Sequence, residues 1–409
     1  MQVLKSILIF TMAALLLSGC WDKLELEEQA YVVVLGLDLA EKNLVNVTFQ
    51  IANPQVGSTD KGNAPNEPPS DTLTFTAPDI LSAKELANSV VTRKISFAHL
   101  RTLVIGEELA KTKLLPNIIV AALRDPEMRR EINVIVSHEK SVTFIHHNKP
   151  KLETRPHKYY AFMQKRWRDT GHVPYATINR FMQRVHEELF LTIYGTTNRV
   201  AAKEKKDEDD YIAGEIPQIS GDPVQIMGSA VLKDGVMIGK LTGEETRHVL
   251  LLRRKALSHV FVSSYPDPLD NKYRVTVRLL KSSNTQIQIN VKKDPPVIHV
   301  KVPIKAQVLS IPSLNNYVTD EGNQRLLTKA ISNDLKEIST RLIQKTQQEY
   351  RAEPFVWFLD ARKQFATLQA FEAYEWEKKY ADAKVTVDFD VKIESFGKQM
   401  DPQHMEQKE

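Results

Sequence analysis

The chain has 409 residues, which is long for one domain and predicts two or three. Its 42% hydrophobic and 26% charged residues are typical of a folded protein, and a net charge of +4 with many acidic and basic residues gives no reason to expect a nucleic-acid partner. A single cysteine excludes an intrachain disulfide and a cysteine-based metal cluster. Beyond residue 20 no apolar run approaches the roughly 20 residues that span a bilayer, so any membrane attachment must come from the N-terminus.

The N-terminal segment has the three parts of a secretory signal peptide. Lys5 and the α-amino group supply positive charge, and residues 6–17 (SILIFTMAALLL) form an apolar run that is too short for a permanent membrane helix. The small residues Ser18 and Gly19 then provide a cleavage zone. We therefore predict that this segment is removed during secretion.

The only cysteine follows directly, and LSGC at 17–20 looks like a bacterial lipobox. That likeness implies removal of residues 1–19 and a diacylglycerol thioether on the sulfur of Cys20. A cysteine is required because its thiolate is the nucleophile that is alkylated, and two or more acyl chains give stable anchoring. The alternative is an ordinary signal peptide followed by a free cysteine.

Residues 20–200 alternate between strand and helix patterns, which predicts an N-terminal mixed α/β domain. The run YVVVLGLDL at 31–39 and the alternating residues 45–51 predict a hairpin that turns at 41–43. Further strands are predicted at 72–76, 103–105 and 132–136, and helices at 78–92, 107–111, 118–123 and across 158–191.

The next part of the chain has a different pattern. Residues 203–210 (KEKKDEDD) are all charged and predict a linker over 201–220. Residues 221–310 are rich in strand patterns and predict a middle domain. Within them, Asp-Gly at 234–235 predicts a hairpin, and the alternation over 273–306 predicts antiparallel strands with one solvated face.

The last part predicts a C-terminal α+β domain over 311–396. A helix is expected at 322–349, a second helical stretch at 363–380 and a half-buried strand at 385–393. Residues 397–409 are polar and predicted to be disordered. The expected fold class is therefore α+β, with several domains of mixed sheets and packed helices in a soluble body behind a lipoprotein signal peptide.

A search for catalytic motifs finds no phosphate loop, no dinucleotide-binding fingerprint and no nucleophile elbow. We predict no catalytic residue, no cofactor and no metal site. His146 and His147 are adjacent, so a regular element cannot turn both toward one ion, and His99 is expected to serve packing or a backbone hydrogen bond. The glycines that recur every four residues are interpreted as turn glycines: Gly235, Gly239 and Gly243.

One basic-aromatic cluster has two interpretations. In the first, the cluster contacts anionic lipid headgroups. In the second, it is a solvated helix face whose tryptophan is buried in the core, and we favour this second interpretation. Its members are Lys165, Arg166, Trp167, Arg168, Arg180 and Arg184.

The stretch GCWDKLELEEQAYVVVLGLD at 19–38 resembles the start of the Ger(x)C family of spore germination lipoproteins. That family typically shows Gly-Cys-Trp-Asp, a glutamate-rich segment and a strand ending in Gly-x-Asp. Similar stretches are HLRTLVIGEELA at 99–110, LRDPEMRREINVIVS at 123–137 and GSAVLKDGVMIGKLTGEET at 228–246, so the likeness covers nearly the whole mature chain. One departure is FLDARKQF at 358–365, which lacks the glycine of the family's turn.

The resemblance implies a lipidated C subunit of a nutrient germinant receptor on the extracytoplasmic face of the spore inner membrane. It implies three α+β domains, no catalytic activity, and two integral-membrane partner subunits, one of them permease-like. Of the family's residues only Cys20, the lipid attachment site, is carried over. Two alternatives remain: a solute-binding lipoprotein that captures the germinant itself, and a cell-wall hydrolase or protease, which would need paired carboxylates or a nucleophile–base pair.

Overall fold

The computed structural model describes most of the chain after the predicted signal peptide. Cys20, the predicted signal peptide 1–19, the charged run up to residue 209 and the predicted tail beyond residue 397 lie outside the described residues. The described ranges are 25–53, 68–184, 189–200, 210–255 and 260–397.

A nine-stranded mixed sheet occupies the first part of the described chain. Its strands are β1 (Gln29–Leu39), β2 (Val45–Ala52), β3 (Ser70–Ala77), β4 (Lys94–Ser96), β5 (Thr102–Gly106), β6 (Asn133–Ser137), β7 (Phe190–Thr196), β8 (Gln225–Lys233) and β9 (Val236–Leu241). The order is β3-β2-β1-β5-β6-β7-β8-β9, with β4 paired to the start of β1. Strands β1, β5, β6 and β7 run parallel, and antiparallel hairpins extend the sheet on both sides. The parallel strands are almost continuously buried, as in sheets covered on both faces.

Short helices surround this sheet. They are α1 (Ile80–Asn88), α2 (Glu107–Ala110), α3 (Leu114–Ala122), α4 (Ser141–His147), α5 (Pro156–Thr170) and α6 (Ile178–Arg184). Helix α1 begins as predicted just after Pro78, because the Asp79 carboxylate accepts a hydrogen bond from Ser82 N at 2.8 Å. Helix α4 follows β6 and packs against β1.

A five-stranded sheet and a long helix form the second part. The strands are β10 (Val260–Pro266), β11 (Arg274–Lys281), β12 (Gln286–Asn290), β13 (Val297–Ser310) and β14 (Lys384–Ser395), and the helices are α7 (Gly243–Leu252), α8 (Glu321–Lys345), α9 (Phe358–Arg362), α10 (Leu368–Tyr374) and α11 (Trp376–Ala381). Strand β13 pairs antiparallel with β11 and β12 and parallel with β14. Its residues alternate between buried and accessible, as predicted. Helix α8 packs on β14 and continues as one π-helical turn over Thr346–Tyr350.

The two hydrophobic cores meet at β7 and β8, because successive residues of a strand point to opposite faces. In β7, Phe190 belongs to the first core, and the next residue, Leu191, belongs to the second. In β8, Leu232 faces the first core and Val231 the second. The first sheet is therefore also one wall of the second core.

The predicted middle domain over residues 221–310 contributes strands to both sheets. The hairpin of β8 and β9 pairs with β7 and completes the first sheet, whereas β10 to β13 form the second. The Asp-Gly pair predicts this hairpin correctly: the φ angles of Asp234 and Gly235 are 50° and 75°. A turn motif does not indicate which further strand the hairpin pairs with. The domain boundaries stay predictions.

Two local predictions change. The helical pattern over 158–191 is interrupted, because α5 ends at Thr170 and strand β7 already begins at Phe190.

Of the three glycines interpreted as turn glycines, only Gly235 lies in a turn. Gly239 lies within β9, and Gly243 opens α7 behind a capping box in which Thr242 and Glu245 bond each other's backbone.

Candidate functional site

The carboxyl ends of β1, β5, β6 and β7 meet at one edge of the first sheet, here called the carboxyl edge. In open α/β sheets, ligands bind outside the carboxyl ends of the strands. A polar residue stands near the end of each strand: Asp38 in β1, Glu107 after β5, His138 and Glu139 after β6, and Thr197 after β7. This edge is therefore the first place to look for a site.

Glu107 is the centre of a cluster at this edge, the Glu107 cluster. Its Oε2 accepts hydrogen bonds from Lys240 Nζ and Tyr194 OH, both at 2.7 Å. Its Oε1 pairs with Lys111 Nζ at 2.6 Å, and His138 Nδ1 lies 3.4 Å from Oε2 and 3.1 Å from the tyrosine oxygen. The glutamate side chain is only 9% exposed. The fold thus brings together residues from four separate segments.

The charges of this cluster favour a structural role. Burial alone would raise the pKa of Glu107, but the hydrogen bonds from the two lysines and the tyrosine outweigh it and lower the pKa to about 2. Burial and the neighbouring carboxylate raise the pKa of Tyr194. A carboxylate with such a low pKa is a poor proton acceptor, because general bases work best with a pKa near the operating pH.

The cluster also joins the first sheet to the second part of the chain. The backbone oxygen of Lys240 accepts a hydrogen bond from Tyr350 OH at 3.0 Å, at the end of the long helix. One helical turn earlier, Lys345 Nζ contacts both carboxylate oxygens of Glu245, at 2.8 and 3.0 Å. The polar contacts therefore connect β9, α7 and α8 across the boundary between the two sheets.

Asp38 serves as a remote cap for α4. Its Oδ1 accepts from Ser141 N at 2.6 Å, and its Oδ2 accepts from Ser141 Oγ at 2.8 Å and from Val142 N at 3.2 Å. Gly36 leaves room for this approach, because a Cβ there would lie 2.6 Å from Ser141 Oγ. A Cβ at Gly106 would collide with Asp38 itself. The Gly-x-Asp motif at the end of β1 is thus explained by packing.

Asp267, at the end of β10, is another buried carboxylate held by neighbours. It accepts hydrogen bonds from Tyr317 OH, from Ser313 Oγ at 2.5 Å and from Leu269 N at 2.9 Å. Burial would raise the pKa of Asp267, but these hydrogen bonds lower it. They fasten the loop before α8 to the second sheet.

Two buried basic side chains form hydrogen bonds at α7: one to a neighbouring helix, and one to the carboxyl end of α7. His248 lies between α7 and α8 with its Nδ1 at 2.8 Å from Ser339 Oγ, and burial, helped by nearby arginines, lowers the pKa of His248 to about 3. Burial also lowers the pKa of Lys281 to about 8. Its ammonium group donates to three backbone oxygens in the last turn of α7 and just after it: those of Leu251, Arg253 and Arg254.

A groove of about 310 Å³ lies at the opposite edge of the first sheet, where β1 begins. We call this the amino edge. Most of the lining is aliphatic, from the start of β1, the end of β2 and residues 90–92. Asp71 and Arg93 supply one carboxylate and one guanidinium group. Its volume lies at the lower end of the range found for small-molecule sites.

The histidines singled out in the sequence have ordinary surroundings. His99 packs edge-on against Tyr31 with ring centroids 4.6 Å apart, as the packing interpretation predicts. His146 and His147 end α4, and His147 Nδ1 lies 3.5 Å from Thr197 Oγ1. Among the described residues no group of three or more His, Cys, Asp or Glu side chains is arranged to hold a metal ion.

The basic-aromatic cluster is divided between two helices. Trp167 on α5 is 6% exposed and belongs to the first core, which confirms that part of the favoured interpretation. Lys165 and Arg166 beside it are exposed. On α6, the guanidinium carbon of Arg180 lies 4.9 Å above the Tyr175 ring. The predicted lipid site Cys20 lies outside the described residues, and in the ranges that the structure covers no helix is long and apolar enough to cross a membrane.

The chain matches two protein-family models: the spore germination protein N-terminal domain over residues 22–194, and the spore germination B3/GerAC-like C-terminal domain over residues 227–397. Spore germination protein KC of Bacillus subtilis (strain 168) is 25% identical over 340 residues, covering 81% of each chain. Spore germination protein B3 of the same organism is 20% identical over 396 residues, covering 96% of this chain and 97% of that protein. The crystal structure of the GerBC protein shares the fold, with a TM-score of 0.53 at 16% identity over 88% of this chain and 96% of that one.

Proposed function

The chain belongs to the Ger(x)C family of spore germination proteins, and from that premise we propose that it is a lipid-anchored, non-enzymatic subunit of a spore germinant receptor, required for nutrient-triggered germination. One observation carries the proposal: the family match begins at residue 22, immediately behind the lipobox cysteine Cys20. The predicted processing would therefore leave a mature chain that is almost entirely the family's two domains.

The lipid anchor determines where the protein is located. Acylated Cys20 holds the chain on the extracytoplasmic face of the spore inner membrane, where its partners are the two integral-membrane subunits of the receptor, one of them permease-like. Tethering in the same membrane raises the effective concentration of the chain near these partners, so that modest contacts suffice for assembly.

A role without catalysis agrees with the state of the buried ionisable groups. Glu107 and His248 have pKa values of about 2 and about 3, far from neutrality, and each is bonded to other side chains. Groups that transfer protons in enzymes are instead tuned toward the operating pH. These residues hold the fold together and leave the surfaces for partners.

The anchor is tested by Cys20→Ala in spores. We expect the variant protein to be lost from the membrane fraction and nutrient-triggered germination to slow strongly, while germination by treatments that bypass receptors is unchanged. Ser18→Ala is the matched control, because it keeps a small residue in the cleavage zone and the thiol. Normal membrane retention and germination of Cys20→Ala would overturn the proposal, as would a free, unacylated Cys20 in mass spectra of the spore protein.

The groove at the amino edge favours a second candidate function, direct capture of the germinant. The Asp71 carboxylate would pair with the ammonium group of an amino acid, and the Arg93 guanidinium would pair with its carboxylate. Calorimetry of the mature protein with single nutrients tests this. Stoichiometric binding that is lost in Arg93→Gln but kept in Lys42→Gln would favour capture, and the absence of binding heat for all nutrients would exclude it.

A further inference from the structure

We infer that the amino edge of the first sheet is the surface that rests on the membrane, and that its basic side chains bind anionic lipid headgroups. The inference builds on the proposed lipid anchor and adds an orientation to it. It also revives the lipid interpretation of the basic-aromatic cluster, because arginines from two further segments lie beside that cluster in the fold.

The tether enters the fold at this edge. Strand β1 begins at Gln29, nine residues after Cys20, and nine extended residues reach at most about 30 Å. The first basic side chain stands at the same level, since Lys94 of β4 pairs with Gln29. Strand β1 itself spans 11 residues, about 36 Å, so the carboxyl edge lies about that far from the point where the tether enters the fold.

Three exposed arginines lie farther along the edge. Arg101 precedes β5, and its backbone oxygen accepts from Asn133 N, the first residue of β6, at 2.9 Å. Arg129 and Arg130 belong to the turn before β6, where the backbone oxygen of Arg130 accepts from Asn179 N at 2.9 Å. Within the ranges the structure describes, none of the three guanidinium groups has an ion-pair partner.

Helices α5 and α6 add to the same surface. Gln164 Nε2 donates to Asn133 Oδ1 at 3.1 Å, which brings Lys165 and Arg166 to the start of β6. Arg180 follows Asn179, whose backbone N–H donates to the backbone oxygen of Arg130 in the turn before β6.

Among the described residues, the carboxylates closest in the chain to these charges already have partners. Asp125 and Glu127, in the turn before β6, pair with Lys84 Nζ at 2.9 and 3.0 Å. Glu131 accepts from Tyr175 OH at 3.0 Å, and Asp169 lies 3.7 Å from Arg166. Further carboxylates lie in the last residues of the tether: Glu25, Glu27 and Glu28. The positive surface is therefore densest away from the tether, where it would tilt the body so that this whole edge approaches the bilayer.

An anionic membrane is the occupant that these features fit. Each Lys or Arg near an anionic lipid surface strengthens binding roughly fivefold, without requiring a fixed pocket. An exposed aliphatic side chain on the same edge, Val90 at 65% exposure, can lie among headgroups. A body tethered within about 30 Å of the surface needs only a few such contacts to be held in one orientation.

The test uses the lipidated mature chain in vesicles. Cys20 is the only native cysteine, so once it is acylated an introduced cysteine is the only free thiol. Arg129→Cys reports on the amino edge and Lys140→Cys, just after β6, on the carboxyl edge; each removes one positive charge. The rate of reaction with an uncharged polymer-linked maleimide is compared in phosphatidylcholine vesicles with and without 30% phosphatidylglycerol.

We expect the anionic lipid to slow labelling about tenfold at position 129 and less than twofold at position 140. Salt at about 0.5 M should remove the protection, since it shortens the range of charge interactions to a few ångströms. Arg101→Gln with Arg130→Gln should restore fast labelling at position 129, whereas Lys42→Gln with Lys113→Gln at the carboxyl edge should not.

Equal labelling at position 129 in neutral and anionic vesicles would overturn the inference, as would protection that persists in high salt. A flotation assay distinguishes a failure of the membrane-facing edge from a failure of the lipid anchor. Protein that fails to float with neutral vesicles contradicts the proposed function, whatever the labelling pattern, whereas protein that floats but shows no protection contradicts only the membrane-facing edge.

Discussion

At the scale of single residues, Glu107 shows how a nearly buried charge is kept in this fold. Its side chain is 9% exposed, and it is ionised because two ammonium groups and a phenol surround it. The sequence placed Glu107 at the start of a helix after β5, but gave no sign of Lys240, 133 positions away. A charged residue directly after a buried strand is the signal that could have drawn attention to it, although its partners come from separate segments.

Glu107→Gln should destabilise the protein by about 3 kcal/mol at pH 7, because it leaves Lys240 half-buried without its counter-charge. The folded-state pKa of about 2 lies below the ordinary value of 4.5, so the carboxylate stabilises the fold above pH 4.5. Its contribution is lost as the pH falls from 4.5 toward 2. The difference between wild type and variant should therefore shrink over that interval in urea unfolding at a series of pH values.

The matched control for that measurement is Glu108→Gln, the exposed neighbour in α2. It should change stability by less than about 0.5 kcal/mol at any pH. A variant at position 107 that is as stable as wild type at pH 7, or a loss that does not vary with pH, would show that the cluster is not the ion pair described here.

At the scale of elements, α4 depends on a residue far away in the chain. The residue before it, Lys140, makes no side-chain cap, and the three hydrogen bonds at its first turn go to Asp38 in β1. Helix α1 is the opposite case, since Asp79 caps it locally. Local caps can be read from a sequence, but a cap 103 residues away cannot, because no spacing rule connects the two positions. The motif was visible in the sequence; its purpose was not.

Asp38→Asn should lower stability by about 1–2 kcal/mol and speed amide exchange at Ser141 and Val142. An amide offers one oxygen where the carboxylate uses two, and its NH₂ group would face a backbone N–H. Asp79→Asn is the control, because the Asp79 side chain accepts a single hydrogen bond, from the backbone N–H of Ser82, and Asn caps as well as Asp. If both variants lose the same stability, Asp38 is not a bidentate cap.

At the scale of the whole molecule, the sequence predicted the fold class correctly, and most strands lie where alternation placed them. Alternation shows that one face of a strand is buried, but it does not say against which neighbour. The sequence therefore grouped residues 225–241 with the strands that follow them, whereas their strands pair with β7 in the first sheet. The same limit hides the shared wall between the cores, since Leu191 and Val231 look like any other apolar strand residues until their partners are known.

The shared wall predicts that the two parts unfold together. Val231 lies in the first sheet but packs in the second core, so Val231→Ala should weaken both by about 1.5–3 kcal/mol. Hydrogen exchange measured peptide by peptide should show β5 and β13 losing protection by the same free energy, because slow exchange in both requires the same global opening. Val262→Ala on β10, where the side chain is 44% exposed, should leave both nearly unchanged. A loss confined to β13 would mean that the second part opens alone, and that contact at β7 and β8 does not couple the cores.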